Sequence, residues 1–210
     1  MDAYYYECLK DGQYFEQYIY NVLEQLGICI VEPFLTKEEQ VLGENSAGVE
    51  VKHDRLMKRY GNIYLELEER VTSSNWIPSG IFRNDNTIIY VIGDYDNFFL
   101  FQKGVLQWLV NDIITNEYFP IKEVKQNSNI AFSTSRGIPV PVDILRYRCM
   151  EEVRIELSQE RLDAFNARTV APVLQKEDII QVIQYPFMGN ITPEEVQKIQ
   201  EQRSMRSMVR

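Results

Sequence analysis

Gly48-Val49-Glu50-Val51-Lys52-His53-Asp54 and Asn62-Ile63-Tyr64-Leu65-Glu66-Leu67-Glu68 alternate apolar with charged residues, and Tyr60-Gly61-Asn62 stands between them as a turn signal. Successive side chains of a strand point to opposite sides, so Val49 and Val51 share one face while Glu50, Lys52 and Asp54 share the other. The second stretch sets Ile63, Leu65 and Leu67 against Tyr64, Glu66 and Glu68. The expectation is a hairpin whose apolar faces pack on one core and whose other face gathers Asp54, Glu66, Glu68 and Glu50 into an acidic pocket. Crowded carboxylates repel one another unless a cation sits among them. Lys52 can supply one charge, and an oxygen-preferring divalent ion such as Mg²⁺ or Mn²⁺ would neutralise more.

Outward from this pair, helical spacing recurs from Asp11 to Leu26 through Phe15, Ile19, Val22, Leu23 and Leu26, and Gly27 follows as a helix stop. Gly27–Val31 suits a short strand, and Pro33–Ser46 reads as a polar helix or loop. Thr87–Gly93 and Phe98–Phe101 read as strands, Lys103–Ile114 as a helix, and Ala131–Ser135 and Val140–Ile144 as the last strands of the core. The order predicts a mixed α/β or α+β sheet flanked by helices over residues 1–147. Residues 148–210 change character. Glu151–Asn166 reads as a charged helix, Glu177–Ile183 as a short one, and Thr192-Pro193-Glu194-Glu195 opens another, with Thr192 as N-cap and proline in the first turn. This helical extension has too few apolar residues for its own core, so it is expected to dock, dimerise or bind a partner.

At 210 residues the chain can bury one sizeable core, and its 45% hydrophobic content fits a globular protein. No run of apolar residues is long enough to span a bilayer, and Met1-Asp2-Ala3-Tyr4 lacks the basic start of a signal peptide, so the expected compartment is cytoplasmic. Cys8, Cys29 and Cys149 lack the spacing of a zinc site or a disulfide scaffold and read as reduced thiols. A net charge of −9 argues against sequence-blind coating of nucleic acid but leaves room for a local basic patch.

A helix bearing Gly12-Gln13-Tyr14-Phe15-Glu16, a following Asp54, then Gly61-Asn62-Ile63-Tyr64-Leu65-Glu66 and Ser79-Gly80-Ile81, resembles a phage-type branch of the PD-(D/E)XK nuclease superfamily. The resemblance covers residues 10–110 and implies a restriction endonuclease-like fold and a metal-dependent endonuclease that hydrolyses phosphodiester bonds in DNA. It carries Asp54 onto the central metal-binding aspartate, Glu66 onto the acidic residue of the third motif and Glu16 onto the helical glutamate, with the Leu67 carbonyl completing the metal site. Where the family usually has lysine, this chain has Glu68; Lys52, on the face of Asp54, is a substitute for it. Asp54, Glu66, Glu68 and Lys52 are thus the expected catalytic residues. Arg55, Lys58, Arg83 and Lys103 are the candidates for holding neighbouring phosphates. By analogy the enzyme would be a homodimer, with residues 150–210 available to a protein partner.

Each motif also has a plainer reading. Glu50, Glu66 and Glu68 suit the solvated face of a sheet. His53 faces away from Asp54 and suits core packing or a surface position, and Trp76 and Trp108 suit anchoring roles. A degenerate nuclease fold kept as a binding or assembly module is the alternative to an active enzyme.

Overall fold

The computed structural model describes residues 3–28, 48–70, 72, 75–125 and 134–208. It is a mixed α/β protein that divides into two compact units, each assembled from three stretches of chain. The first comprises Met1–Arg55, Asp85–Gln102 and Met150–Gln184, and the second Leu56–Asn84, Lys103–Cys149 and Tyr185–Arg210.

The first unit is a long helix on a five-stranded sheet. Helix α1 (Ala3–Leu26) begins earlier than the periodicity suggested and stops at Gly27, whose φ of +64° is one that a residue with a Cβ adopts only with strain. Its apolar stripe, Phe15, Tyr18, Ile19, Val22 and Leu23, packs on Val49, Val91, Phe98, Leu100, Val153 and Ile155 of the sheet. Strand β1 (Val49–His53) runs parallel to β4 (Ile89–Gly93), with Val51 opposite Val91. Strands β5 (Asn97–Gln102), β8 (Glu151–Glu156) and β9 (Ile179–Ile183) add antiparallel, giving the order β1-β4-β5-β8-β9. The uninterrupted apolar runs of β4 and β5 explain their central places, since strands covered on both faces need no polar side. Helix α5 (Gln159–Asn166) follows β8, and its Phe165 joins the core under α1.

The second unit is built on a four-stranded sheet in the order β3-β2-β7-β6. Its centre is the antiparallel pair β2 (Asn62–Glu69) and β7 (Ser135–Pro141), in which Ile63 faces Val140 and Leu65 faces Ile138. Strand β3 (Ile77–Pro78) borders β2, and β6 (Lys122–Val124) borders β7. Helix α2 (Met57–Tyr60) precedes β2, and a 3₁₀ turn (Gly80–Phe82) follows β3. Helices α3 (Lys103–Thr115), α4 (Val142–Arg146) and α6 (Pro193–Met208) complete it. Fully buried Arg148 ties the start of α6 down: it bonds the carbonyls of Ile144, Gly189 and Asn190 and pairs with Glu195 at 2.9 Å.

The hairpin expected from residues 48–68 does not form. Gly61 is a real turn signal, but its left-handed φ of 63° closes helix α2 through a bond from its N–H to the Met57 carbonyl. A helical turn therefore separates β1 from β2, and they enter different sheets, one with parallel and one with antiparallel neighbours. The C-terminal reading also changes. Glu151–Asn166, expected as one helix, is strand β8 followed by α5, and Glu177–Ile183 contains strand β9. The alternation Val153, Ile155 against Glu152, Arg154 is the strand signal that helical spacing hid. Val140–Ile144 splits between the end of β7 and α4. Cys29–Ser46 and Ala131–Phe132-Ser133 lie outside the described residues. No helix among the described residues is long and apolar enough to cross a membrane.

Candidate functional site

In the second unit, strand alternation turns Ile63, Leu65 and Leu67 inward and leaves Tyr64, Glu66 and Glu68 on the other face. Glu66 is not simply solvated there. Its Oε1 accepts a bond from the Ser79 hydroxyl at 2.8 Å, and its Oε2 accepts one from the Ser135 hydroxyl at 2.5 Å. Both serines are fully buried. Arg83 Nη2 donates to Ser79 Oγ at 3.3 Å and pairs with Glu69 at 3.4 Å, and the Tyr64 hydroxyl lies 3.2 Å from Ser135 Oγ.

Two glycines also pass close to the main chain at Glu66. A Cβ on Gly80, whose φ is +51°, would stand 2.4 Å from the Glu66 carbonyl oxygen, and one on Gly137 would stand 2.3 Å from the Leu65 carbonyl oxygen. The two motif segments that resemble the nuclease branch, Gly61–Glu66 and Ser79-Gly80-Ile81, therefore meet at Glu66.

The other expected residues of this unit are engaged elsewhere. Glu68 pairs with Arg136, whose guanidinium also lies over the Trp76 ring at 5.1 Å. The Leu67 carbonyl, expected as a metal ligand, accepts the Ser79 N–H at 2.9 Å. Lys103, expected at a phosphate, is buried, and its Nζ bonds the Arg83 carbonyl at 2.7 Å. Lys58 is exposed on α2.

In the first unit Glu16 is buried on α1 and accepts a bond from the Tyr20 hydroxyl. Burial pushes its carboxyl up to about 7, against the opposing pull of the Tyr20 bond and the Lys52 charge. Lys52 pairs with buried Glu50, which also accepts from Thr87 Oγ1 at 3.4 Å. Asp54 follows β1 directly, and its N–H extends the parallel ladder to the Gly93 carbonyl at 2.8 Å.

His53 is the hub of a second network. Its Nδ1 lies 3.0 Å from Asp11 and its Nε2 3.3 Å from Asp94, while its ring stacks on Phe15 at 4.2 Å. Burial alone would lower its pKa, but the bonds to Asp11 and Asp94 outweigh it and raise the value. Asp11 also holds Arg55, which is thereby drawn into this network. Of the core and surface positions open to His53, the structure shows a side chain buried against Phe15.

Asp54 and Glu16 belong to one unit and Glu66 and Leu67 to the other, and among the described residues no three His, Cys, Asp or Glu are grouped to hold an ion. Sequence reasoning missed Ser135 altogether, and no local signal marks it: it meets Glu66 only through the β2–β7 register. Ser79 was visible within Ser-Gly-Ile, but not as a partner of Glu66. Comparison with protein-family models, with curated proteins and with solved structures gave no match.

Proposed function

We propose that this protein is a nuclease of the restriction endonuclease-like type that hydrolyses phosphodiester bonds in DNA, with Glu66 as its acting carboxylate. The observation that supports this most is the meeting of two motif segments at Glu66, where buried hydroxyls hold both carboxylate oxygens and Arg83 adjoins them. Glu66 accepts the proton of the attacking water. Arg83 holds a phosphate oxygen, a positioning role without sequence information. The donors expected for Mg²⁺ or Mn²⁺ do not fit as a set within either unit, so the requirement for an ion is a question for the assay.

The test is cleavage of supercoiled plasmid with Mg²⁺, Mn²⁺ or EDTA by the wild type, Glu66→Gln, Arg83→Ala and Asp54→Ala. Cleavage that disappears in Glu66→Gln supports the reading. Cleavage that persists at the wild-type rate in Glu66→Gln overturns it.

A second reading, a nuclease-type fold kept for binding, is favoured by the internal pairing of Lys52 with Glu50 and of Glu68 with Arg136. It expects a DNA mobility shift without cleavage under any ion. Assembly through residues 150–210 is best tested by the mass of the full chain in solution, because those residues contain β8 and β9 and deleting them would remove strands from the first sheet.

A further inference from the structure

A serine hydroxyl carries one proton. Ser79 gives its proton to Glu66 Oε1, so in its contact with Arg83 it can only accept, and the guanidinium can only donate. Ser135 gives its proton to Glu66 Oε2, so in the Tyr64–Ser135 contact at 3.2 Å only the Tyr64 hydroxyl can donate, a proton it shares with the Lys122 carbonyl at 3.4 Å. Two relays, Arg83 to Ser79 and Tyr64 to Ser135, thus run inward from separate parts of the sequence and end on the two oxygens of one carboxylate. Holding both oxygens fixes the carboxylate plane, which a single bond would leave free to turn.

A glutamate on the solvated face of a sheet needs no such arrangement. Burying two hydroxyls is favourable only where each is hydrogen-bonded. The approach of the chain at residues 80 and 137 demands glycine at both places.

We infer that Ser79 and Ser135 are positioning residues that orient the Glu66 carboxylate. The inference rests on the proposed role of Glu66 and adds the groups that set its geometry. Neither serine is itself assigned contact with substrate.

The experiment combines kinetics with a reading that needs no activity. Ser79→Ala and Ser135→Ala are compared with wild type on a short DNA duplex, with Ser135→Thr as the variant that restores a hydroxyl. Misplacing a reacting group by a fraction of an ångström is expected to lower kcat about ten- to a hundredfold with little change in KM, and Ser135→Thr should recover much of the loss. In parallel, the carboxylate stretch of Glu66 is isolated as the infrared difference between each protein and its Glu66→Gln counterpart. It should shift in both alanine variants.

Wild-type kcat in both alanine variants overturns the inference while leaving the nuclease reading intact. If the wild type does not cleave at all, the nuclease reading fails, and the infrared band decides alone. A shifted band upholds the orientation of Glu66 by the serines, and an unmoved band overturns it. Unchanged circular dichroism in the variants separates a local effect from misfolding.

Discussion

Replacing Gly80 by alanine tests whether the chain is fitted to Glu66 as described. The added methyl carbon would stand 2.4 Å from the Glu66 carbonyl oxygen and 3.0 Å from its Cβ, so the nearest obstacle is backbone. Alanine at a φ of +51° also meets the left-handed penalty. That penalty is about 1–2 kcal/mol and overpacking adds about 1–3 kcal/mol, so Gly80→Ala should destabilise the protein by about 2–5 kcal/mol. Gly12, in the exposed part of α1, is the control: nothing lies within 4 Å of its added Cβ. There alanine should stabilise by about 0.5–1 kcal/mol. Urea unfolding followed by tryptophan fluorescence and circular dichroism gives both values. A Gly80→Ala protein as stable as wild type would refute the close passage of residues 79–81 against β2, and the bond from Ser79 to Glu66 would lose its structural basis.

Three further outcomes follow from the buried charges. His53 has its pKa raised in the folded protein, so its contribution is fully present below its ordinary value of 6.5 and is lost as pH rises through the folded value. Urea melts from pH 5 to 9 should therefore show wild type exceeding His53→Gln most at the acid end; a constant gap would contradict the paired imidazolium. Glu16 is held protonated by burial, so wild type should lose stability between its ordinary 4.5 and about 7. Glu16→Gln should escape that loss, worth at most about 3 kcal/mol, and equal slopes for the two proteins across this range would refute it. Arg148→Ala leaves Glu195 and three carbonyls without their buried partner and should cost about 3–5 kcal/mol, with trypsin releasing α6 faster than in wild type. Unchanged proteolysis would contradict the anchoring of α6 by this side chain.

What was legible depended on whether the signal was local. Helix α1, the strands β4 and β5 and the helix α3 announce themselves by period or by unbroken apolar runs, and they stand close to where the spacing put them, except that α1 starts eight residues earlier, at Ala3. Thr192 and Pro193 likewise mark the start of α6, where Thr192 Oγ1 accepts the Glu195 N–H at 3.2 Å. The partner of a strand is a different kind of fact. β1 and β2 carry the same alternation, yet one lies beside β4 and the other beside β7, and the choice is made by residues far along the chain. The failure at Glu151–Asn166 has another origin: a six-residue strand and an eight-residue helix in succession offer apolar residues at spacings that mimic one longer helix.

The same distinction separates the two acidic residues of β2. By alternation Glu66 and Glu68 are equivalent. The β2–β7 register makes them different. A bulge lies between them, so Glu66 stands opposite Gly137 while Glu68 stands opposite Arg136. Glu68 gains a partly exposed ion pair, the kind that solvent weakens and that either partner can lose at small cost. Glu66 gains two neutral hydroxyl donors from buried serines, one on each carboxylate oxygen. The bulge and Gly137 thus give two glutamates of one strand different partners, an arginine for Glu68 and two serine hydroxyls for Glu66.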